Sequence, residues 1–164
     1  MLVAGITLSG CSKQEASNKQ EASATQEASI SVSNIYAVPL NGAAYLITEV
    51  QNIGKVGVTA FQGTWTISDE LGNKVESQEI KYMSDTPYAT PEGVKQPHVI
   101  APSEKLLIVL QAVRGQPDNV FATTEENLGK IGNPVFGMLL KESKLSDYRV
   151  KKKITFELEK SVTQ

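Results

Sequence analysis

From Ile30 onward, apolar and polar residues alternate with period two, the pattern of strands that turn one face to a core. Ile30, Val32, Tyr36 and Val38 fall on one face, with Asn34 between them, and the run ends at Pro39 and an Asn41-Gly42 turn signal. Tyr45 to Val50 reads as a second strand, stopped by Asn52, Gly54 and Gly57. The third is the clearest. Phe61, Gly63, Trp65 and Ile67 alternate with Gln62, Thr64, Thr66 and Ser68, so the only Trp of the chain marks a core face opposite a solvated one. Gly63 leaves space there for a large side chain from a facing layer. Asp69-Glu70-Leu71-Gly72 has Asp first and Gly fourth, as a type I turn prefers. Lys74 to Met83 then returns as the hairpin partner, with Ile80 and Tyr82 on one face.

Residues 84–103 hold four of the seven prolines, which excludes a central strand or a helix and predicts a long ordered loop or an edge crossover. Lys105 to Val113 reads KLLIVLQAV, nearly all apolar, as a strand buried on both faces at the centre of a sheet does. Thr123 with Glu126 is a capping-box pattern for a short helix to Leu128, stopped by Gly129. Val135 to Lys141 is expected as a strand. Tyr148 to Glu159 is the last, with Val150, Ile154, Phe156 and Leu158 on the apolar face. Lys152 shares that face, an inward charge of the kind that protects a sheet edge. About seven short strands, one short helix and a buried Trp on the third strand predict an all-β fold: a two-sheet antiparallel β-sandwich over residues 30–164.

The first thirty residues follow a different rule. Residues 13–30 are three hexads, KQEASN, KQEASA and TQEASI, with almost nothing to bury. They cannot offset their ordering entropy, and residues 11–29 are expected to form a disordered tether. Either a selected spacer or repeat slippage produces such a segment. Met1 to Leu8 is apolar or small and reads as the end of a signal-peptide h-region, so residues 1–10 are expected to be the remnant of a signal whose start lies upstream.

Composition narrows the function classes. A formal net charge of −2 over 164 residues argues against a nucleic-acid binder, which carries a basic face. Cys11 is the only cysteine, so neither an intrachain disulfide nor a thiolate metal cluster can form. As a free thiol it would be reactive.

Leu8-Ser9-Gly10-Cys11 resembles a bacterial lipobox, where a signal peptide is cut and the Cys becomes the lipidated first residue. The resemblance implies lipidation at Cys11, attachment to a membrane through that lipid, and, with Ser12 following, outer-membrane sorting facing the periplasm in a Gram-negative host. Further along, Ile47-Thr48-Glu49-Val50-Gln51-Asn52-Ile53-Gly54, Phe61 to Asp69, Gly72 and Ile100-Ala101-Pro102-Ser103-Glu104 resemble the Ig-like domains of bacterial envelope lipoproteins, of the FxLYD-like type. Those domains often read E-V-x-N-x-G … I-x-P-G-E. Ser103 stands where Gly is common, which points to a different turn there. The motif residues are turns and strand ends, and the family shares no catalytic residues to carry over.

Candidate chemistry is sparse. His98 is the only histidine, with Asp85, Glu92 and Glu104 near it in sequence. A metal site or a base is conceivable, but no HxxxH-type spacing, GxSxG elbow or glycine-rich phosphate loop accompanies it. Lys151-Lys152-Lys153 is the one basic run. It reads as a solvated strand entry, or as a contact for anionic headgroups. The best candidate for a binding surface is loop 84–98, with Asp85, Tyr88 and His98 projecting from one end of the sandwich; the alternative is a loop packed flat over the sheet, with Tyr88 covering apolar area. The expected function is a membrane-anchored, non-catalytic binding or assembly module, with no cofactor and another envelope protein as partner. The alternative is a protease-inhibitor-like or ligand-carrying domain presenting loop 84–98. An enzyme comes third.

Overall fold

The computed structural model describes residues 29–40, 43–83, 85–96, 98–113, 116–131 and 134–164. Cys11, the signal remnant, nearly all of the expected tether and the Asn41-Gly42 turn lie outside these residues.

The alternating segments form the strands β1 (Ile30–Leu40), β2 (Ala43–Asn52), β3 (Val58–Ser68) and β4 (Lys74–Tyr82). The proline-rich stretch contributes two three-residue strands, β5 (Tyr88–Thr90) and β6 (Gly93–Lys95). Then come β7 (Lys105–Val113), β8 (Gln116–Thr123), helix α1 (Glu125–Leu128), helix α2 (Pro134–Glu142), a 3-10 turn at Leu145–Tyr148 and β9 (Lys153–Thr163). They build two sheets: six strands in the order β1-β2-β7-β8-β5-β6, and three in the order β4-β3-β9. Among the described residues, β5 and β8 make the one parallel pairing, Tyr88 opposite Ala122. The fold is thus an all-β two-sheet sandwich.

Trp65, entirely buried, lies between the sheets with Phe61, Ile67, Ile80, Tyr82, Ile100, Leu106 and Ile108. Lys105 to Val113 fulfils its pattern: Leu106 and Ile108 face this core, while Leu107 and Val109 face a second one on the outer side of the larger sheet. That second core was not expected. The helices roof it, with Leu128, Ile131, Phe136 and Leu145 packed on Tyr36, Val38, Tyr45 and Ile47. Phe136 meets Tyr45 edge-on at 5.0 Å.

Several expectations change. Val135 to Lys141 is helical, not a strand. Pro134 occupies the first helical position, where its missing N–H costs nothing, and an apolar run of this length fits a buried helix as well as a strand. The cap of α1 is Thr124, whose hydroxyl accepts from Asn127 N at 3.3 Å, while Thr123 belongs to β8 and donates to Ala89 O at 2.8 Å. Lys152 does not point inward. It is exposed and precedes β9, which begins at Lys153. Gly63 does not admit a side chain from the facing layer. A Cβ there would lie 2.5 Å from Phe156 of the adjacent strand β9.

Strand β1 also departs from simple alternation. A bulge between Val32 and Asn34 shifts its register against β2. Ile30 and Ile35 therefore serve the inter-sheet core, and Tyr36 and Val38 serve the helix-covered one. Period-two counting across Asn34 put all of Ile30, Val32, Tyr36 and Val38 on one face. Ser103 adopts φ +66°, the left-handed conformation that Gly favours, so the expected difference in that turn is absent.

Candidate functional site

Three places gather polar or charged side chains, and each is placed by a sequence feature. The first lies at the β1 bulge. The extra residue turns both Ser33 and Asn34 toward Glu49 on β2, which alternation places on the same face as Tyr45 and Ile47. Glu49 is only 7% exposed. Its Oε1 accepts a short hydrogen bond from Ser33 Oγ and one from Asn34 Nδ2 at 3.3 Å, and its Oε2 accepts from Tyr36 Oη at 3.1 Å. Lys105 Nζ stands 3.6 Å from Oε1. Burial pushes this carboxyl up, but the bonds from Ser33 and Tyr36, the Lys105 charge and Asn34 together hold it below the usual range. The Tyr36 phenol is pushed up to about 12, by burial first and by the Glu49 charge second. Glu49 is therefore a fixed acceptor. Three hydrogen bonds engage it, and the net effect of its surroundings is to lower it, away from the range of a proton donor at neutral pH. A surface hollow of about 270 Å³ beside it is lined by Glu49, Lys105, Thr124, Glu125 and Glu126.

The second place is the proline-rich segment. The Tyr88 and His98 rings stack at 4.0 Å and 5°. His98 Nε2 lies 3.0 Å from Glu104 Oε1, and Glu104 Oε2 accepts from Ala101 N at 2.7 Å. Tyr82 Oη donates to the His98 carbonyl at 2.8 Å. Burial, then the Glu104 charge, raises both the Tyr82 and the Tyr88 phenols above their ordinary value. Of the three residues expected on a projecting loop, the structure brings two together. Tyr88 is a buried core residue, 9% exposed, with His98 half-buried against it. Asp85 stands apart and exposed, on a turn closed by Met83 N to Thr86 Oγ1 at 2.9 Å. The segment is stitched flat to the sheet edge by β5 and β6.

Asn52, from the same motif region, shows how this end is tied. Fully buried, it donates to Val56 O at 2.8 Å and Ile100 O at 2.9 Å, and its Oδ1 accepts from Gly54 N at 2.9 Å. The Asn52–Gly54 and Ile100–Glu104 segments thus meet as one knot of turns at this end.

The third place is at the opposite end. Ser68, Asp69, Glu70 and Leu71 of the β3–β4 turn face Lys151, Lys152 and Lys153 across an open cleft of about 550 Å³. Leu71 is 87% exposed at its rim. Asp69 is committed to the turn, accepting from Leu71 N, Asn73 N and Asn73 Nδ2 at 2.8–3.0 Å, and these bonds hold its carboxyl below the usual range. In the sequence the lysine run reads as a solvated strand entry or a contact for anionic headgroups, because nothing there says that a turn eighty residues earlier lies across from it. Glu49 had a usable signal: a carboxylate at an inward position of an otherwise apolar face.

Among the described residues, no cluster of His, Cys, Asp and Glu is arranged to hold a metal, and no helix is long and apolar enough to cross a membrane. What the fold defines is a class by architecture, a two-sheet β-sandwich with a helical cover. No protein-family profile, curated protein or solved structure matches the chain.

Proposed function

We propose that this chain is a lipid-anchored protein of the cell envelope whose sandwich works as a non-catalytic binding or assembly module. Its contact surface is the cleft between the Asp69–Gly72 turn and Lys151–Lys153. One contrast carries this reading. The groups best suited to chemistry, Glu49, Tyr88 and His98, are spent on holding the fold, whereas Leu71 and three lysines are exposed around a cleft. An exposed Leu beside cations suits an acidic segment that carries an apolar side chain. The anchor rests on the Leu8-Ser9-Gly10-Cys11 motif and the lone cysteine. Lipid on Cys11 and Ser at position 12 favour the outer membrane, facing the periplasm, if the host is Gram-negative. The burial of Tyr88 counts against presentation of loop 84–98 to an inhibited enzyme or a carried ligand.

The test is photo-crosslinking from position 71 in intact cells, with and without Lys151→Glu, Lys152→Glu and Lys153→Glu. A discrete adduct that the charge reversals abolish is expected, and an adduct profile indifferent to them would refute the assignment. Intact-mass measurement of the mature protein tests the anchor, which requires acyl chains on an N-terminal Cys11.

A further inference from the structure

We infer that the end of the sandwich opposite the lysine cleft rests on the bilayer surface, through Ile53, Met83 and Val162. The inference depends on the lipid anchor proposed above. Three observations carry it.

The first is where the chain enters the domain. Ser29 O accepts from Ile53 N at 2.8 Å, so the segment leading back to Cys11 departs beside Ile53. Seventeen residues separate Cys11 from Ser29. They reach at most about 60 Å. An anchored domain is therefore held within that reach of the membrane, by its entry end.

The second is the distribution of exposed apolar side chains. Ile53, Met83 and Val162 are 58%, 54% and 56% exposed. All three lie at the entry end: Gln164 N bonds to Gly57 O in the loop after Ile53, Val162 pairs with Ala60, and Met83 directly follows Tyr82, the partner of Phe61. Met83, Ala60 and Val162 therefore form one apolar row across the outer face of the small sheet, with a shallow hollow of about 190 Å³ between them. Val162 reaches this face through the register shift between Gln62 and Gly63. Continued alternation from Ile154, Phe156 and Leu158 would have turned it inward.

The third is the next row. Lys81 and Lys160 flank Gln62 one step inboard of the apolar row, and Lys55 is exposed in the Ile53 loop. Apolar tips bordered by lysines suit the water–headgroup boundary, where the tips sit below the headgroups and long cationic chains reach up to the phosphates. Glu79, 2.6 Å from Lys81, and Glu159, which accepts from Gln62 Nε2 at 3.1 Å, moderate this charge, so contact rests chiefly on the apolar tips.

The test uses the lipidated full chain, whose sole native thiol the lipid occupies. A Met83→Cys or Val162→Cys variant is labelled with an environment-sensitive fluorophore and reconstituted into phosphatidylethanolamine–phosphatidylglycerol vesicles, with Leu71→Cys as the far-end control. The expected result is a blue-shifted emission and quenching by lipid-borne nitroxide at 83 and 162, with a water-like emission at 71, about 35 Å away along β3. Replacing Ile53 by Ser should return the label at 83 toward its water value. Flotation with the vesicles reports the anchor separately. Protein that floats while all labels stay water-like overturns the docking and leaves the anchor standing. Protein that does not float removes the anchor and the docking together. A shift at 83 that needs no vesicles and grows with protein concentration assigns the surface to a second copy and overturns the inference.

Discussion

Replacing Glu49 by Gln isolates what the buried carboxylate does. The substitution keeps shape and one acceptor oxygen, but it turns an NH2 group toward Tyr36 Oη, which now donates to Oε2 at 3.1 Å. Ser33 and Asn34 lose a charged acceptor as well. Hydrogen bonds to a buried charge contribute about 1.5–3 kcal/mol each, but Ser and Tyr hydroxyls can rotate to accept, so a net loss of about 2 kcal/mol is expected. For a domain of this size that lowers Tm by roughly 6–9 °C. Lys105 is the minor partner. Its side chain is 58% exposed and 3.6 Å away, so Lys105→Met should cost less than about 1 kcal/mol. The pH dependence carries the sharper test. The folded carboxyl lies below its unfolded value of about 4.3. Its contribution is therefore complete above that value and disappears as pH falls through the lower, folded one. Urea unfolding of both proteins between pH 7 and pH 2 should show a gap that is constant at neutral pH and closes in acid. A loss under about 0.5 kcal/mol at pH 7, or a gap that does not narrow, would refute the reasoning.

Further substitutions test the packing and one left-handed turn residue. Gly63→Ala places a methyl 2.5 Å from the Phe156 ring and 2.6 Å from Glu157 O, and should cost about 2–3 kcal/mol in urea unfolding. Adding Phe156→Leu should recover part of it but not all, because the carbonyl stays, and full additivity of the two changes would count against the contact. Ser103→Gly relieves a left-handed Ser at about 1–2 kcal/mol while adding about 0.5–1 kcal/mol of unfolded-chain entropy, so calorimetry should show a gain of roughly 0.5–1 kcal/mol. Phe136→Ala empties a fully buried site and should cost about 3–5 kcal/mol by chemical denaturation, where a near-zero cost would mean that α2 does not pack on the sheet.

What the sequence disclosed, and what it did not, divides along physical lines. β3 and β7 were legible because one has a single buried face and the other two, and each leaves its own pattern. The Asp69–Gly72 turn was legible because its chemistry is local, and Gly72 does take φ +84°. The β1 bulge was not, since one inserted residue inverts every later position and only the partner strand reveals the slip. Strand β8 left no pattern of its own, because it is defined by its pairing with β7. The proline-rich segment was rightly excluded from the sheet centre. Its small edge strands and the Tyr88–His98 stack arise from contacts with Ala122 and Glu104 that the local sequence does not encode. For the same reason the lysine run's cleft was invisible: its opposite wall comes from a turn some eighty residues earlier.

The pairing of β3 with β9 brings Val58 against Thr163. Until that last strand is available, the smaller sheet is a two-stranded hairpin carrying Phe61 and Trp65, and an isolated hairpin is barely stable in water. Strand β1 waits as well, because Val150 N must reach Ile35 O to cover its free edge. Contacts of such long sequence separation make for slow folding, with loop closure preceding its reward. During that interval the Trp65 face is open to other chains. The architecture therefore gives the newly made protein a prolonged dependence on whatever keeps it apart from its neighbours, and places the commitment to the native state at the arrival of its C-terminal strand.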